Sequence, residues 1–292
     1  MTSKITKNYL TKNKCYTSPI YRPVKGLMLH SIGCAQPRAS VLMNNYNSPS
    51  TGGVCVHGFI DGSTGQAYQT LPWTYRAGHC GSGANGSANN THIAIEMCEP
   101  ASIKYTGGAA FTCSDLASAR ATAKRTYNAA VELFAYLCKL HNLDPLRDGV
   151  VISHAEGHKR GIASNHGDPE HLWRGLGMSY TMDGFRKDVA TAMRPEIKSG
   201  MVLRATKRIP LRAGISTKKK KAGYIKYKTL KSEVARKKCC RTAAGNAAMM
   251  VGKKFTVQET KTDWKGDVWV RIKIAGAWLP VCVGGKWRVV EA

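Results

Sequence analysis

A long amphipathic segment between two apolar runs most restricts how this chain can fold. Residues 112–115 offer helix N-cap side chains, and from there to about His141 the apolar residues keep the three- and four-residue spacing of one buried helix face. Residues 92–98 alternate like a strand, and residues 149–153 form a short apolar run. A helix between two such strands is typical of a crossover, so the sequence predicts an α/β fold with a mixed central sheet flanked by helices.

Further elements extend this domain on both sides of the crossover. The sequence predicts a strand over residues 25–30, a short helix over 39–46, and two strands joined by a glycine-flanked turn over 54–71. A last helix over 183–193 closes the domain. We therefore expect the first domain to span residues 1–194.

The segment 153–173 concentrates side chains that bind metals. These side chains are His154, Glu156, His158, His166, Asp168, Glu170 and His171. We expect a strand to hold His154 and a glycine-containing loop to fold Asp168 back towards it. A catalytic zinc usually has three protein ligands, and His30, at the end of another apolar run, is the candidate for the third. Alternatively, His30 and His154 are strand histidines that hydrogen-bond in a core, but the proline that stiffens the chain after Asp168 favours the metal site.

Glu96 lies inside the alternating run 92–98. A glutamate in a strand either faces solvent at a sheet edge or projects into a partly dry cleft. In a cleft, burial would raise its pKa towards the value that a general base needs. The flanking apolar residues favour the cleft.

Three motifs together resemble one family of enzymes. LMLHSIG, IAIEMCEP and SHAEGHKRGIASNHGDP, in this order, are similar to motifs of the zinc-dependent N-acetylmuramoyl-L-alanine amidases of the peptidoglycan-recognition-protein type, in particular those of endolysins from phages of Gram-positive hosts. The resemblance covers roughly residues 7–193. It implies a peptidoglycan hydrolase that cleaves the amide between N-acetylmuramic acid and L-alanine of the stem peptide.

The resemblance also implies roles for particular residues. The zinc ligands of the family fall on His30, His154 and Asp168, and its general base falls on Glu96. His166, two residues before the last ligand, falls on a catalytic position from which it could donate a hydrogen bond to the developing oxyanion. His166 also competes with Asp168 as the third ligand, although Asp168 matches the family position better.

Two departures from the family concern the substrate groove. Some members place a catalytic tyrosine beside the strand histidine that His57 matches, where this chain has Val56, so base catalysis must depend on Glu96. Relatives often carry tryptophan where this chain has Gly78. These comparisons leave His57, Trp73 and His79 as candidate groove residues. Glu156 is expected to orient a ligand or a loop amide, whereas ordinary surface or packing roles are expected for His92, His141, His158 and His171.

The chain changes character after a predicted linker over residues 195–200. Short β-prone runs separated by turns predict a small all-β barrel over 201–292. Residues 209–214 and 277–281 resemble bacterial SH3-type wall-binding modules. The lysine-rich stretch from about 217 to 251 reads as an insertion into that pattern.

The basic charge is concentrated in this C-terminal part. The formal net charge is +26, and 23 of the 44 Lys and Arg but only 5 of the 18 Asp and Glu follow residue 200. This imbalance predicts a densely anionic partner, and nucleic acid, anionic lipid and cell-wall teichoic acids all qualify. The resemblance favours peptidoglycan and the anionic polymers of Gram-positive walls. No zinc-finger or helix-turn-helix pattern supports a specific nucleic-acid site, and no run is long enough to insert into a membrane.

The N-terminus bears on where the protein is made. It is polar and lacks the apolar core of a signal peptide, which predicts synthesis in the host cytoplasm. The resemblance to phage endolysins implies holin-dependent release to the wall. A reducing cytoplasm predicts that most of the ten cysteines are small buried residues rather than disulfide partners.

Three functions therefore compete. The first is a lytic zinc amidase with a basic targeting domain, and the second is a non-catalytic peptidoglycan receptor of the same fold. The third is nucleic-acid binding by the lysine-rich tail. A receptor is expected to lack a zinc ligand, and this chain lacks none, which favours the amidase.

Overall fold

The computed structural model of the chain describes residues 5–193, 197–218 and 220–292. The chain divides into two units, Met1–Arg194 and Pro195–Ala292. Of the predicted linker, residues 195 and 196 lie outside the described residues. Its described part belongs to the second unit, because Ile197 is buried in that unit's core and the Gly200 N–H donates to the Val257 carbonyl at 2.8 Å.

A mixed sheet organises the first unit. The described strands of this unit are β1 (Thr6–Lys7), β2 (Gly26–Ser31), β3 (Gly58–Ile60), β4 (Ala67–Gln69), β5 (His92–Met97), β6 (Ile103–Gly107), β7 (Ala110–Cys113) and β8 (Val151–Ser153). Six of them form one sheet in the order β1-β4-β3-β5-β2-β8. β2 pairs in parallel with β5 and β8, whereas β3 and β4 form the antiparallel hairpin predicted from the glycine-flanked turn. The predicted α/β class with a mixed sheet is confirmed.

Helices cover this sheet. The described helices of the first unit are α1 (Lys14–Thr17), α2 (Ala39–Tyr46), α3 (Leu116–Leu140), α4 (His154–Lys159), α5 (Glu170–Gly175) and α6 (Met182–Ala192). α3 begins as predicted, because the Asp115 carboxylate accepts the Ser118 N–H at 2.9 Å, and His141 caps its other end. Its buried face packs on the sheet and on α6, where the rings of Phe134 and Phe185 meet edge to face at 5.1 Å.

Two local features differ from the expectation. β8 ends at Ser153 and His154 begins helix α4, so the prediction that a strand holds His154 is wrong. The cause is a reciprocal cap in which Ser153 Oγ accepts the Glu156 N–H at 3.0 Å and the Glu156 carboxylate accepts the Ser153 N–H at 3.1 Å. The second feature is the hairpin of β6 and β7, which the sequence analysis did not predict.

The second unit consists of small antiparallel sheets and one described α-helix. Its described elements are β9 (Val202–Ala205), β10 (Ile209–Pro210), α7 (Glu233–Lys238), β11 (Cys239–Arg241), β12 (Ala247–Met249), β13 (Lys254–Thr256), β14 (Glu259–Thr262), β15 (Val268–Arg271), β16 (Trp278–Val283), β17 (Lys286–Trp287) and β18 (Val289–Glu291). The sheets have the orders β10-β12-β11, β13-β9-β18 and β14-β15-β16-β17. The likeness to SH3-type modules stays a prediction.

The lysine-rich stretch is part of the second unit's core. It contributes α7, β11 and β12, and Leu230, Ala235 and Met249 are buried among the other core side chains. Its apolar residues therefore stabilise the unit, while most of the lysines that the structure describes in this stretch are exposed. The expectation of an inserted segment is incomplete, because strand β12 of this stretch pairs with β10.

Two further properties concern the whole described chain. No helix in residues 5–193, 197–218 or 220–292 combines the length and the apolar character that a membrane crossing requires. Six of the ten cysteines are buried, as the sequence analysis expected for most of them.

Two leucines in the last turns of α3 test the assignment of its buried face. Leu137 is fully buried, whereas Leu140 is 51% exposed. We expect Leu137→Ala to lower the free energy of unfolding by about 2–5 kcal/mol, because it removes buried methyl groups and leaves a cavity. Leu140→Ala, the same change on the solvent side, should stay within about 0.5 kcal/mol of the parent chain. Urea unfolding of both variants measures the difference, and equal losses would contradict the assigned face.

Candidate functional site

Two neighbouring strands place His30 and Glu96 side by side. The two residues are paired in register between the parallel strands β2 and β5, near the carboxyl ends of both. His30 is 1% exposed. Glu96 Oε2 is buried without a hydrogen-bond partner among the described residues, and burial raises the pKa of this carboxyl to about 8. Glu96 therefore projects into a cleft, as the flanking apolar residues favoured.

His154 and Asp168 converge on His30. The start of α4 presents His154 beside β2, and the loop before α5 brings Asp168 back to both histidines. His30 Nδ1 lies 3.0 Å from Asp168 Oδ2, and His154 Nδ1 lies 3.3 Å from Asp168 Oδ1. The two Nδ1 atoms are 3.2 Å apart. The loop geometry that the sequence suggested for Asp168 is present.

This group fits a metal ion. All three side chains are buried, and the potential ligand atoms lie within 4.8 Å of one another. Ring nitrogens that face each other at this distance oppose their lone pairs unless one of them is protonated, and a cation between them and the carboxylate would satisfy all three residues. Imidazole and carboxylate are suitable ligands for several transition metals, including zinc.

Burial and neighbouring charges shift the pKa values of the two histidines in this group. Burial opposes protonation of His30, but the hydrogen bond that its ring donates to Asp168 and the negative charges of Glu96 and Asp168 outweigh it and raise the pKa of His30. Burial and the nearby charge of His30 lower the pKa of His154 to about 4. The neutral imidazole that a metal needs is therefore the favoured form of His154 at neutral pH.

His166 lies beside this group rather than in it. Its ring stacks on His154 with centroids 4.6 Å apart, and its Nδ1 is 3.9 Å from Asp168 Oδ1. The His166 side chain is 63% exposed. Among the described residues, the group that can hold a metal contains Asp168 and not His166. The exposed imidazole is free to reach a bound substrate.

One cavity of about 750 Å³ collects most of the predicted site residues. Its lining includes His30, His79, Glu96, His154, His166 and Asp168. His79 Nδ1 lies 3.1 Å from His30 Nε2, and the Asn89 side chain accepts the His79 N–H at 2.9 Å. Burial and the charge of His30 hold the pKa of His79 well below its usual value. His79 is therefore a neutral imidazole in the wall of the cavity.

His57 and Trp73 are not part of this lining. His57 is fully buried, its Nδ1 accepts the Ala94 N–H at 3.0 Å, and its Nε2 lies 2.8 Å from the Tyr75 carbonyl oxygen. Trp73 packs against the main core, with its ring stacked on His57. Burial leaves His57 no surface for a substrate, so its expected place in the groove is not supported by the structure.

A polar network that was not predicted lies beside the cavity. Glu99, which is fully buried, accepts the Gly33 N–H at 3.2 Å and the Tyr105 hydroxyl at 2.7 Å. The same hydroxyl lies 2.7 Å from His171 Nε2. Burial raises the pKa of Glu99 to about 7. Tyr105 and His171 line the cavity, so His171 has more than the packing role expected for it.

The signal for this network in the sequence is weak. Glu99 lies two residues after the end of β5 and precedes a proline, which could have marked it as a buried carboxylate. Tyr105 sits on the hairpin that was not predicted. Glu156, in contrast, has one of its expected roles, because it holds the Ser153 amide and pairs with Arg186 at 2.9 Å. His92, His141 and His158 lie outside the cavity lining.

Comparisons with known proteins give a family match and similar solved structures. The family described as N-acetylmuramoyl-L-alanine amidase matches residues 20–171, just over half of the chain. The hydrolase AmiA of Staphylococcus aureus, solved with its ligand, is 21% identical with a TM-score of 0.46, over 66% of this chain and 84% of its own. A mutant endolysin from Bacillus subtilis is 19% identical with a TM-score of 0.44, over 64% of this chain and 98% of its own. The comparison with curated protein sequences gave no match.

The hydroxyl of Tyr105 provides a test of the network. Tyr105→Phe leaves the ring in place but removes the hydrogen bond to Glu99 and the contact with His171. We expect the free energy of unfolding to fall by about 1–3 kcal/mol, because a buried acceptor loses its donor. Tyr136→Phe, on the exposed side of α3, is the matched control and should leave it unchanged. Urea unfolding followed by circular dichroism distinguishes the two; an unaltered Tyr105→Phe protein would rule out a stabilising network.

Proposed function

The chain belongs to the N-acetylmuramoyl-L-alanine amidase family, and from this premise we propose how it hydrolyses peptidoglycan. The substrate is the amide between N-acetylmuramic acid and L-alanine of the stem peptide. The catalytic group consists of a zinc ion on His30, His154 and Asp168, with Glu96 as general base and His166 as a hydrogen-bond donor. The convergence of three buried ligand side chains beside an unpaired buried carboxyl is the observation that carries this proposal.

The ligand residues supply a suitable position for zinc. His30, His154 and Asp168 would hold the ion through three protein ligands, the usual number in catalytic zinc sites. When bound there, zinc would acidify a water molecule and polarise the carbonyl of the amide. Asp168 would contribute the negative charge of the ligand set, and the contact of His30 Nε2 with His79 Nδ1 at 3.1 Å orients the His30 ring.

Glu96 handles the protons of the reaction. Its carboxylate accepts a proton from the attacking water as the oxygen bonds to the amide carbon. It then returns this proton to the amine nitrogen as the carbon–nitrogen bond breaks, so that one water is consumed for each amide cleaved. Burial supports this role, because a raised pKa makes the carboxylate a stronger base and its conjugate acid remains available near neutral pH.

His166 acts on the carbonyl oxygen. Its exposed ring, which stacks on His154, would donate a hydrogen bond to the oxyanion that forms during attack, and its 63% exposure supports this role. A single donor of this kind contributes about 2.7–4 kcal/mol to transition-state stabilisation in other enzymes. His79, whose imidazole stays neutral, forms the wall next to His30 and contacts the substrate.

The second unit is the targeting module. Its charge and small antiparallel sheets support an SH3-like domain that binds anionic polymers of Gram-positive walls. We further propose synthesis in the cytoplasm of a phage-infected host and release to the wall through a holin. The second candidate function, a non-catalytic peptidoglycan receptor, would use the same cavity without cleavage, and the presence of Glu96 beside the complete ligand group favours the enzyme.

Removal of the proton-transferring group tests the role of Glu96. Glu96→Gln keeps the size of the side chain, so we expect bound zinc and thermal unfolding to match the parent protein. Hydrolysis of purified cell walls should fall by about 10²–10⁴-fold, the usual contribution of general acid–base catalysis. Glu132→Gln, on the exposed face of α3, is the control and should retain full activity. A fully active Glu96→Gln protein would show that another residue moves the proton.

Metal content and product identity test the remaining parts of the proposal. We expect one zinc per chain by elemental mass spectrometry, and a loss of zinc in His30→Ala, His154→Ala and Asp168→Ala because each removes one of three ligands. Chelation should abolish lysis, and added zinc should restore it. Mass spectrometry of the fragments should show stem peptides with free L-alanine amino termini. Zinc binding without any released peptide would identify the protein as a receptor.

A further inference from the structure

The second unit contains a groove of about 730 Å³ that the proposed chemistry does not use. Six of its lining residues are cationic and two are exposed aromatic residues. We call this surface the basic groove, and these eight residues are Arg212, Lys218, Lys220, Lys221, Lys265, Arg288, Tyr224 and Trp264.

The acidic residues in the lining do not neutralise these cations. Asp263 accepts the Trp269 indole N–H at 3.0 Å and the backbone N–H groups of Lys265 and Asp267, and Asp267 accepts the Gly284 N–H at 2.7 Å. Both carboxylates therefore brace turns of the unit. None of the six cations forms an ion pair with an acidic side chain in the described parts of this unit. The groove consequently keeps an excess of positive charge.

Each of the two exposed aromatic rings contacts a cation of the groove. The Arg212 guanidinium lies 3.6 Å from the centroid of the Tyr224 ring, and Lys265 Nζ lies 5.0 Å from that of Trp264. Arg212 Nη1 donates to the Ala222 carbonyl at 2.7 Å, while its buried Nε has no partner. A cation thus covers one face of each ring.

We propose that the basic groove binds the phosphodiester backbone of a linear wall polymer in which phosphates alternate with polyol or sugar units. Arginine and lysine bind phosphate oxygens through charge-assisted hydrogen bonds, and six cations spread along one groove suit a repeating anion better than a single one. The second face of each ring, which the cation does not cover, suits the carbon–hydrogen groups of the intervening units. This inference rests on the proposed function, since it names the surface by which the hydrolase holds its wall.

The same groove is less suited to single-stranded nucleic acid. Such ligands stack successive bases on a series of aromatic faces, whereas this groove lining offers two exposed rings beside six cations. The family of the chain also places its substrate in the wall. Nucleic acid is therefore an outcome that the experiment must exclude.

The test compares two full-length variants with equal loss of charge. The groove variant is Lys220→Gln, Lys221→Gln and Lys265→Gln. The control variant is Lys207→Gln, Lys228→Gln and Lys253→Gln, three exposed lysines of the same unit outside the groove lining. Titration calorimetry with isolated poly(glycerol phosphate) teichoic acid gives the affinity of each, and thermal unfolding confirms that both are folded.

We expect the groove variant to bind the polymer about tenfold more weakly and the control variant to stay within about twofold of the parent. The parent should also bind Gram-positive walls less tightly after hydrogen fluoride has removed their phosphodiester polymers. Equal loss of affinity in both variants would show that net charge alone explains the binding, and would overturn the groove as the binding site. The parent could instead bind a single-stranded oligonucleotide more tightly than teichoic acid, with a loss in the groove variant alone. This result would overturn the wall polymer as the ligand of the groove.

Hydrolysis of polymer-free peptidoglycan separates this inference from the proposed function. All three proteins should cleave that substrate at equal rates, because the substitutions lie outside the first unit. If none of them cleaves it while the groove variant still loses polymer affinity, the amidase proposal fails and the groove stands. If all cleave it and all bind teichoic acid equally, the groove fails and the amidase stands.

Discussion

The parallel pairing of β2 with β5 and β8 is the constraint on which the site depends. Parallel strands end at the same edge of a sheet, and here the register places His30 opposite Glu96 and Leu29 opposite Ser153. His154 then begins its helix next to His30. A slip of one residue in either pairing would turn these side chains to the other face of the sheet. The apolar residues of β2 and β5, buried on both faces, hold the register.

The first unit can tolerate this polar cluster because the surrounding core is large. Glu96 Oε2 and His79 Nε2 are buried without hydrogen-bond partners among the described residues, and a buried polar atom of this kind costs about 1–3 kcal/mol. The long helix α3 and the aromatic contacts of α6 offset such costs on the opposite side of the sheet. Unpaired groups are also what catalysis needs, because a carboxylate with no internal partner is available to water and substrate.

The two units use charge in different ways. In the first unit, imidazoles and carboxylates face each other in a buried space, so burial and proximity shift their pKa values in opposite directions. In the second unit, the cations line an open groove where solvent screens them, and binding there depends on several weak contacts acting together. The first arrangement suits bond cleavage, and the second suits retention on a polyanion.

The sequence by itself determined the elements whose signals are local. Helix α3, the β3–β4 hairpin and the strand that carries Glu96 follow from side-chain periodicity, capping residues and turn glycines. The same patterns single out His30, His154 and Glu96, which lie in or next to apolar runs. Tertiary structure decided the rest. His57 is a core residue because three other segments hydrogen-bond to its ring or pack on it, and Glu99, Tyr105 and His171 meet only because a hairpin and α5 fold over the same cavity. The physical reason is that periodicity reports which face of an element is buried, whereas the register and packing between distant segments decide which side chains meet there.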